Sequence, residues 1–101
     1  MNFEQFWSKL SKEKRNSRLE TSSRKQGFAF SFDAQFNEVV VVPESTNIPR
    51  HILRNDFHNV WNKFKEINGD PYRPAFYQRV THNASYILAI MNHLLKGDKV
   101  S

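Results

Sequence analysis

Cysteine is absent from this 101-residue chain, so it has no disulfide framework, thiolate metal site or cysteine nucleophile. Only three glycines and four prolines punctuate it, and it shows neither an internal repeat nor a low-complexity tract. Apolar runs are short. The longest, residues 39–42 and 87–91, fall far below the roughly 20 residues of a membrane span. Residues 1–10 mix polar and apolar side chains without the continuous apolar stretch of a signal peptide, so the expectation is a soluble cytoplasmic protein with no membrane partner. The four histidines, His51, His58, His82 and His93, are scattered. No HExxH motif and no close His or Asp/Glu cluster suggests a metal site, and no cofactor is expected.

Aromatic side chains and clustered positive charge are what the chain does have. Nine Phe and two Trp supply large buried areas to a chain whose length suits a single domain spanning 1–101. Residues 1–26 hold seven basic side chains against three acidic ones, a net +4 of the chain's total +5. Such a concentration is the electrostatic footprint of a polyanion partner, although a solvated face uses the same residues.

Phe3, Phe6, Trp7 and Leu10 recur at helical spacing behind Asn2 and Gln5, which resemble a capping box. The apolar stripe fails beyond Ser11, and residues 12–26 read as a thinning helix end and a polar loop. Phe28, Phe30 and Phe32 alternate with small or polar residues, and residues 39–42 are valine throughout. These predict two antiparallel strands joined by a loop over 34–38, with Asn37 at positive φ and Pro43 ending the second strand. Leu53, Phe57, Val60, Trp61, Phe64 and Ile67 then predict a helix capped by Asn55, with a start near Arg50 as the alternative, closed by Asn68 and Gly69. A short helical turn over 75–80 follows Pro74. The last helix, capped by Thr81 or Asn83, buries Ala84, Ile87, Leu88, Met91, Leu94 and Leu95 and stops at Gly97. The expected fold is α+β: an N-terminal helix, a two-stranded antiparallel β-hairpin, then two main helices with a short helix between them.

Three groups could contact phosphate or bases. Lys12, Lys14, Arg15, Arg18, Arg24 and Lys25, interleaved with Ser and Thr, suit phosphate contacts that release counterions. Arg73, Arg79, Thr81, His82 and Asn83 surround the entry to the last helix in an outline like a helix-turn-helix, where first-turn side chains reach base edges. Ordinary capping uses the same residue types, and Pro71 and Pro74 distort the place where the first helix of that motif should lie. Ser45, Thr46 and Asn47, with Arg50 and His51, would make a second phosphate clamp if they lay beside the basic loop; a plain turn is the reading the sequence favours. Asp33 and Glu38 flank the hairpin as in some metal-dependent nucleases, but the lysine two residues after the glutamate is missing. Tyr77, Arg79 and His82 are the one local set suited to a metal-independent ribonuclease.

The series Phe6-Trp7-x2-Leu10, Thr21-x2-Arg24, Phe28-x-Phe30, Val42-Pro43, Ile48-Pro49-Arg50 and Asn83-Ala84-Ser85-Tyr86-Ile87 resembles small basic α+β modules of bacterial mobile elements. Those modules occur as gene-cassette proteins or beside restriction-type enzymes. The resemblance implies DNA binding and supplies no catalytic residues. The expectation is therefore a non-enzymatic nucleic-acid-binding domain, DNA favoured over RNA, held mainly through phosphates. A protein-interaction module for an acidic partner, such as an adaptor or inhibitor, comes second and a small ribonuclease third.

Overall fold

The computed structural model describes residues 1–13, 17–21, 24–67, 77 and 80–95. Helix α1 (Phe3–Ser11) starts at the predicted capping box. Asn2 Oδ1 accepts from the Gln5 N–H at 2.8 Å, and Gln5 Oε1 accepts from the Asn2 N–H at 2.9 Å. The i, i+3, i+4, i+7 spacing of Phe3, Phe6, Trp7 and Leu10 turns all four inward, and all four are buried.

Four strands follow: β1 (Ser17–Glu20), β2 (Gly27–Asp33), β3 (Glu38–Pro43) and β4 (Arg50–Leu53), in the antiparallel order β1-β2-β3-β4. The β2–β3 pair is the predicted hairpin, in the register Phe28↔Pro43, Phe30↔Val41 and Phe32↔Val39. Residues opposite one another share a face, so the Phe and Val side chains converge. Phe28, Phe30, Val39, Val41 and Ile52 become almost wholly buried. Asn37 takes the expected positive φ, 52°, and its Oδ1 accepts a 3.0 Å hydrogen bond from Trp7 Nε1 that ties the hairpin turn to α1.

The two-stranded hairpin predicted from the sequence is thus the centre of a four-stranded sheet. Strand β1 lies where a polar loop was expected. Among its described side chains Leu19 packs against the core while Arg18 and Glu20 point away, and the sequence Ser-Arg-Leu-Glu carries no apolar alternation to read. Strand β4 lies where a connector or helix start was expected. Ile52 is fully buried opposite Val39, and Leu53 is 55% exposed opposite Glu38. Leu53 stands four residues before Phe57 and so also fits the helical stripe. The pleat instead sends it to the face away from the helices.

Helix α2 (Arg54–Glu66) begins directly after β4 with Leu53 at the N-cap and no side-chain cap hydrogen bond, so Asn55 lies inside the helix and does not cap it. Helix α3 (Ala84–Leu95) buries the six predicted residues together with Ala89 and Ile90. The order is one helix, four strands and two helices among the described residues, in place of a helix, a hairpin and two helices around a short third. The closing Asn68 and Gly69, the short helix over 75–80 apart from Tyr77 and Val80, and Gly97 lie outside the described residues.

All three helices cover one face of the sheet, a two-layer arrangement. Aromatic contacts weld it. Trp61 packs on Phe6 at 5.0 Å, Trp7 meets Phe57 and Phe32 edge-on at 5.3 and 5.6 Å, and Tyr86 of α3 meets Phe28 edge-on at 5.0 Å. Lys9 Nζ donates to the Leu94 carbonyl at 2.8 Å, joining α1 to the C-terminal turn of α3.

The sheet boundary makes a direct test. Ile52→Ala is expected to cost about 2–5 kcal/mol in urea unfolding. Leu53→Ala is expected to stay within about 0.5 kcal/mol. A larger loss at Leu53 than at Ile52 would restore the helical assignment.

Candidate nucleic-acid interface

The sheet register decides which loops meet. Glu20 pairs with Gly27 and Phe28 pairs with Pro43, so the β1–β2 turn and the β3–β4 loop leave the sheet at the same end. Helix α3 begins at that end too, because Tyr86 in its first turn lies against Phe28 and beneath the Arg50 guanidinium, 5.6 Å from the ring centroid. Three segments far apart in sequence therefore share one end of the molecule.

Each segment is braced. In the β1–β2 turn, Thr21 is buried. Its N–H donates to the Gln26 carbonyl (3.0 Å), its carbonyl accepts from the Lys25 N–H (2.9 Å), and its Oγ1 accepts from the Gln26 N–H (3.1 Å). Lys25 sits at φ 50°, and both Arg24 and Lys25 are exposed with no described acidic side chain paired to them. The β3–β4 loop is anchored by the Glu44 N–H on the Gly27 carbonyl (3.0 Å) and closed by the Asn47 N–H on the Pro43 carbonyl (2.8 Å). Asn47 adopts φ 54°, and residues 44–50 are all exposed. Ahead of α3, the Thr81 hydroxyl accepts from the Asn83 N–H at 3.2 Å, and the Asn83 carbonyl accepts from the Ile87 N–H, which makes Asn83 the N-cap position. His82 is exposed; Thr81 and Asn83 are half-buried.

The fold divides the basic stretch that is continuous in sequence. Lys12 is exposed at the C-cap of α1, beside the C-terminal end of α3. Arg24 and Lys25 lie beside the opposite end, roughly 18 Å away along a helix of this length. Arg18 points to the face of the sheet away from the helices and is already engaged. Its guanidinium forks onto Glu44 through Nε and Nη2, and Nη1 reaches Glu20 at 3.1 Å. This cluster crosses directly over Gly27, where a Cβ would stand 2.5 Å from Glu44 Oε2 and 2.6 Å from Arg18 Nη2. A side chain at this position would have to displace the exposed ends of Glu44 and Arg18. Lys14, Arg15, Arg73 and Arg79 lie outside the described residues. The clamp reading of Ser45, Thr46, Asn47 and Arg50 set one condition, a place beside the basic turn. The strand pairing puts them there.

The other candidates have structural employment. Asp33 Oδ1 accepts from the Gln35 and Phe36 N–H groups, and Glu38 Oε1 lies 2.6 Å from His51 Nδ1. Tyr77 is fully buried, which removes it from the surface group proposed with Arg79 and His82. His58 of α2 stacks on Phe3 at 4.6 Å, while His51 lies on β4. Among the described residues no three His, Asp or Glu side chains could hold a metal ion, and no helix is long and apolar enough to cross a membrane.

No protein-family model, curated protein or solved structure matches this chain.

The hydrogen bond and charge of Arg18 hold the Glu44 carboxyl below the ordinary carboxylate range, against a smaller opposing effect of desolvation. A carboxylate with a depressed folded value contributes stability above its unfolded value and loses that contribution as the pH falls through the folded one. In an NMR titration of the Glu44 carboxyl, Arg18→Ala is expected to return its midpoint to the ordinary range. Gly27→Ala is expected to shift it the same way by displacing the fork. An unchanged midpoint in Arg18→Ala would show that the pair does not persist in solution.

Proposed function

We propose that this protein binds nucleic acid, with double-stranded DNA favoured, and that the basic end of the sheet is the contact surface. The observation that carries this reading is the convergence of exposed Arg24 and Lys25 with Arg50, the Ser45-Thr46-Asn47 loop and the entry to α3. Arg24, Lys25 and Arg50 supply the charge that displaces counterions, and the hydroxyl and amide groups of the loop suit phosphate oxygens. Thr81, His82 and Asn83 stand where a helix N-terminus can meet a phosphate or a base edge. The opposite face of the sheet suits a polyanion poorly, since Glu20, Asp33, Glu38 and Glu44 outnumber Arg18 and His51 there. Lys12 lies at the other end of α3, away from this surface. This reading takes the protein to be cytoplasmic and non-catalytic. An acidic protein partner would address the same cations without the counterion release of a duplex.

Fluorescence anisotropy with a mixed-sequence duplex tests it. Three displaced counterion sites imply that log K falls with log[salt] at a slope of about −3. Arg24→Ala with Lys25→Ala should flatten the slope by about 2, and Lys12→Ala should leave it nearly unchanged. Asn83→Ser keeps a capping oxygen but loses the amide, so lost sequence preference at an unchanged melting temperature would mark base readout by this residue. Absence of binding at low salt, or a slope indifferent to the Arg24/Lys25 pair, would refute the basic end as the interface.

A further inference from the structure

Ile48 takes no part in the hydrophobic core. It is 66% exposed at the tip of the β3–β4 loop, inside the basic end, whereas the other exposed large hydrophobics among the described residues, Phe36 and Leu53, lie at the opposite end of the sheet. Its backbone is held on both sides. Asn47 before it is fixed at φ 54° by the bond to Pro43, the Ile48 N–H donates to Thr46 Oγ1 at 3.3 Å, and Pro49 after it has a locked φ. The β-branched side chain is itself stiff at χ1, so presenting it to a ligand costs little conformational entropy. Cations flank this tip, with Arg50 two residues on and Arg24 and Lys25 on the neighbouring turn. The nearest described carboxylates at this end, Glu20 and Glu44, are both held by Arg18.

We propose that Ile48, backed by Pro49, is an apolar wedge that inserts at a base step from the minor groove, so that the preferred ligand is a duplex that kinks easily. The inference rests on the nucleic-acid reading above and names the kind of duplex that reading leaves open. The surroundings favour base pairs over a protein as the occupant. A stable protein interface needs on the order of 800 Å² per partner around an apolar centre, and a lone Ile-Pro tip on a polar loop ringed by cations does not supply it. A wedge needs only one apolar side chain, because the base faces furnish the apolar partner and the flanking cations hold the backbone. Unstacking is easiest at a mismatch or a flexible pyrimidine–purine step, which makes deformability the basis of selection.

The test uses the full chain and two end-labelled duplexes of one sequence, fully paired or with a single central mismatch, read by anisotropy and by end-to-end energy transfer. The expected result is roughly tenfold tighter binding to the mismatched duplex, with the ends drawn together on binding. Ile48→Ala should abolish both the preference and the bend while keeping the salt slope and the melting temperature; Ile48→Leu should retain them. Equal affinity for the two duplexes, an unbent complex, or a bend that survives Ile48→Ala overturns the wedge and leaves the phosphate-binding surface standing. Failure of the unmodified protein to bind either duplex at low salt overturns both.

Discussion

The register between β2 and β3 is the constraint on which the rest of the molecule depends. Pairing Phe28 with Pro43, Phe30 with Val41 and Phe32 with Val39 collects the large side chains of both strands on one face. A slip of one residue would turn them all to the other side, so the register is strongly specified by burial. That face needs a cover, and helices α1, α2 and α3 provide it by packing Trp7, Phe57, Trp61 and Tyr86 around it. With α3 lying across β2, from Tyr86 on Phe28 to His93 on Phe30, its N-terminus has to emerge beside the turns that close β1–β2 and β3–β4. The meeting of these three segments at one end is therefore a consequence of core packing.

Edge strands finish the sheet at little apolar cost. Strand β1 contributes Leu19 to the core and turns Arg18 and Glu20 outward, and β4 contributes Ile52 before running straight into α2. Short, charged edges resist pairing with other chains. The Arg18 fork over Gly27 also uses up a cation that its place in the sequence offers to a polyanion. Two carboxylates share that guanidinium, so the group as a whole is negative rather than positive. Charge counted along the chain thus overstates what any one surface presents.

Much of this was legible beforehand where periodicity is strong. The α1 stripe behind its capping box, the Phe and Val strands, Asn37 at positive φ and the α3 stripe follow from local spacing alone. Strand β1 was not legible because one apolar residue in four makes no pattern, and β4 because Leu53 satisfies a helical interval and a strand position equally well. The α2 start was misplaced for the same reason: Asn55 is a good cap by type, but strand pairing holds the chain extended until Leu53. At the candidate site, Arg24, Lys25, Thr81, His82 and Asn83 were recognisable by chemistry. Ser45, Thr46, Asn47 and Arg50 looked like any turn, since their place beside the basic turn is set by strand pairing with residues some twenty positions away.

The sequence by itself determined an α+β chain with an aromatic core, helices at both ends, a central hairpin and a basic N-terminal quarter. These follow from side-chain volume, alternation and charge, which act locally and leave a period in the chain. Only the tertiary structure decided that the hairpin widens to four strands, that Lys12 and the Arg24/Lys25 pair lie at opposite ends of α3, and that Arg18 pairs with Glu44 and Glu20. It also decided that Arg24, Lys25, Arg50 and the entry to α3 share one surface with Ile48. Pairing between distant strands and packing of helices on a sheet are set by the total area buried, and no local window of residues contains that quantity.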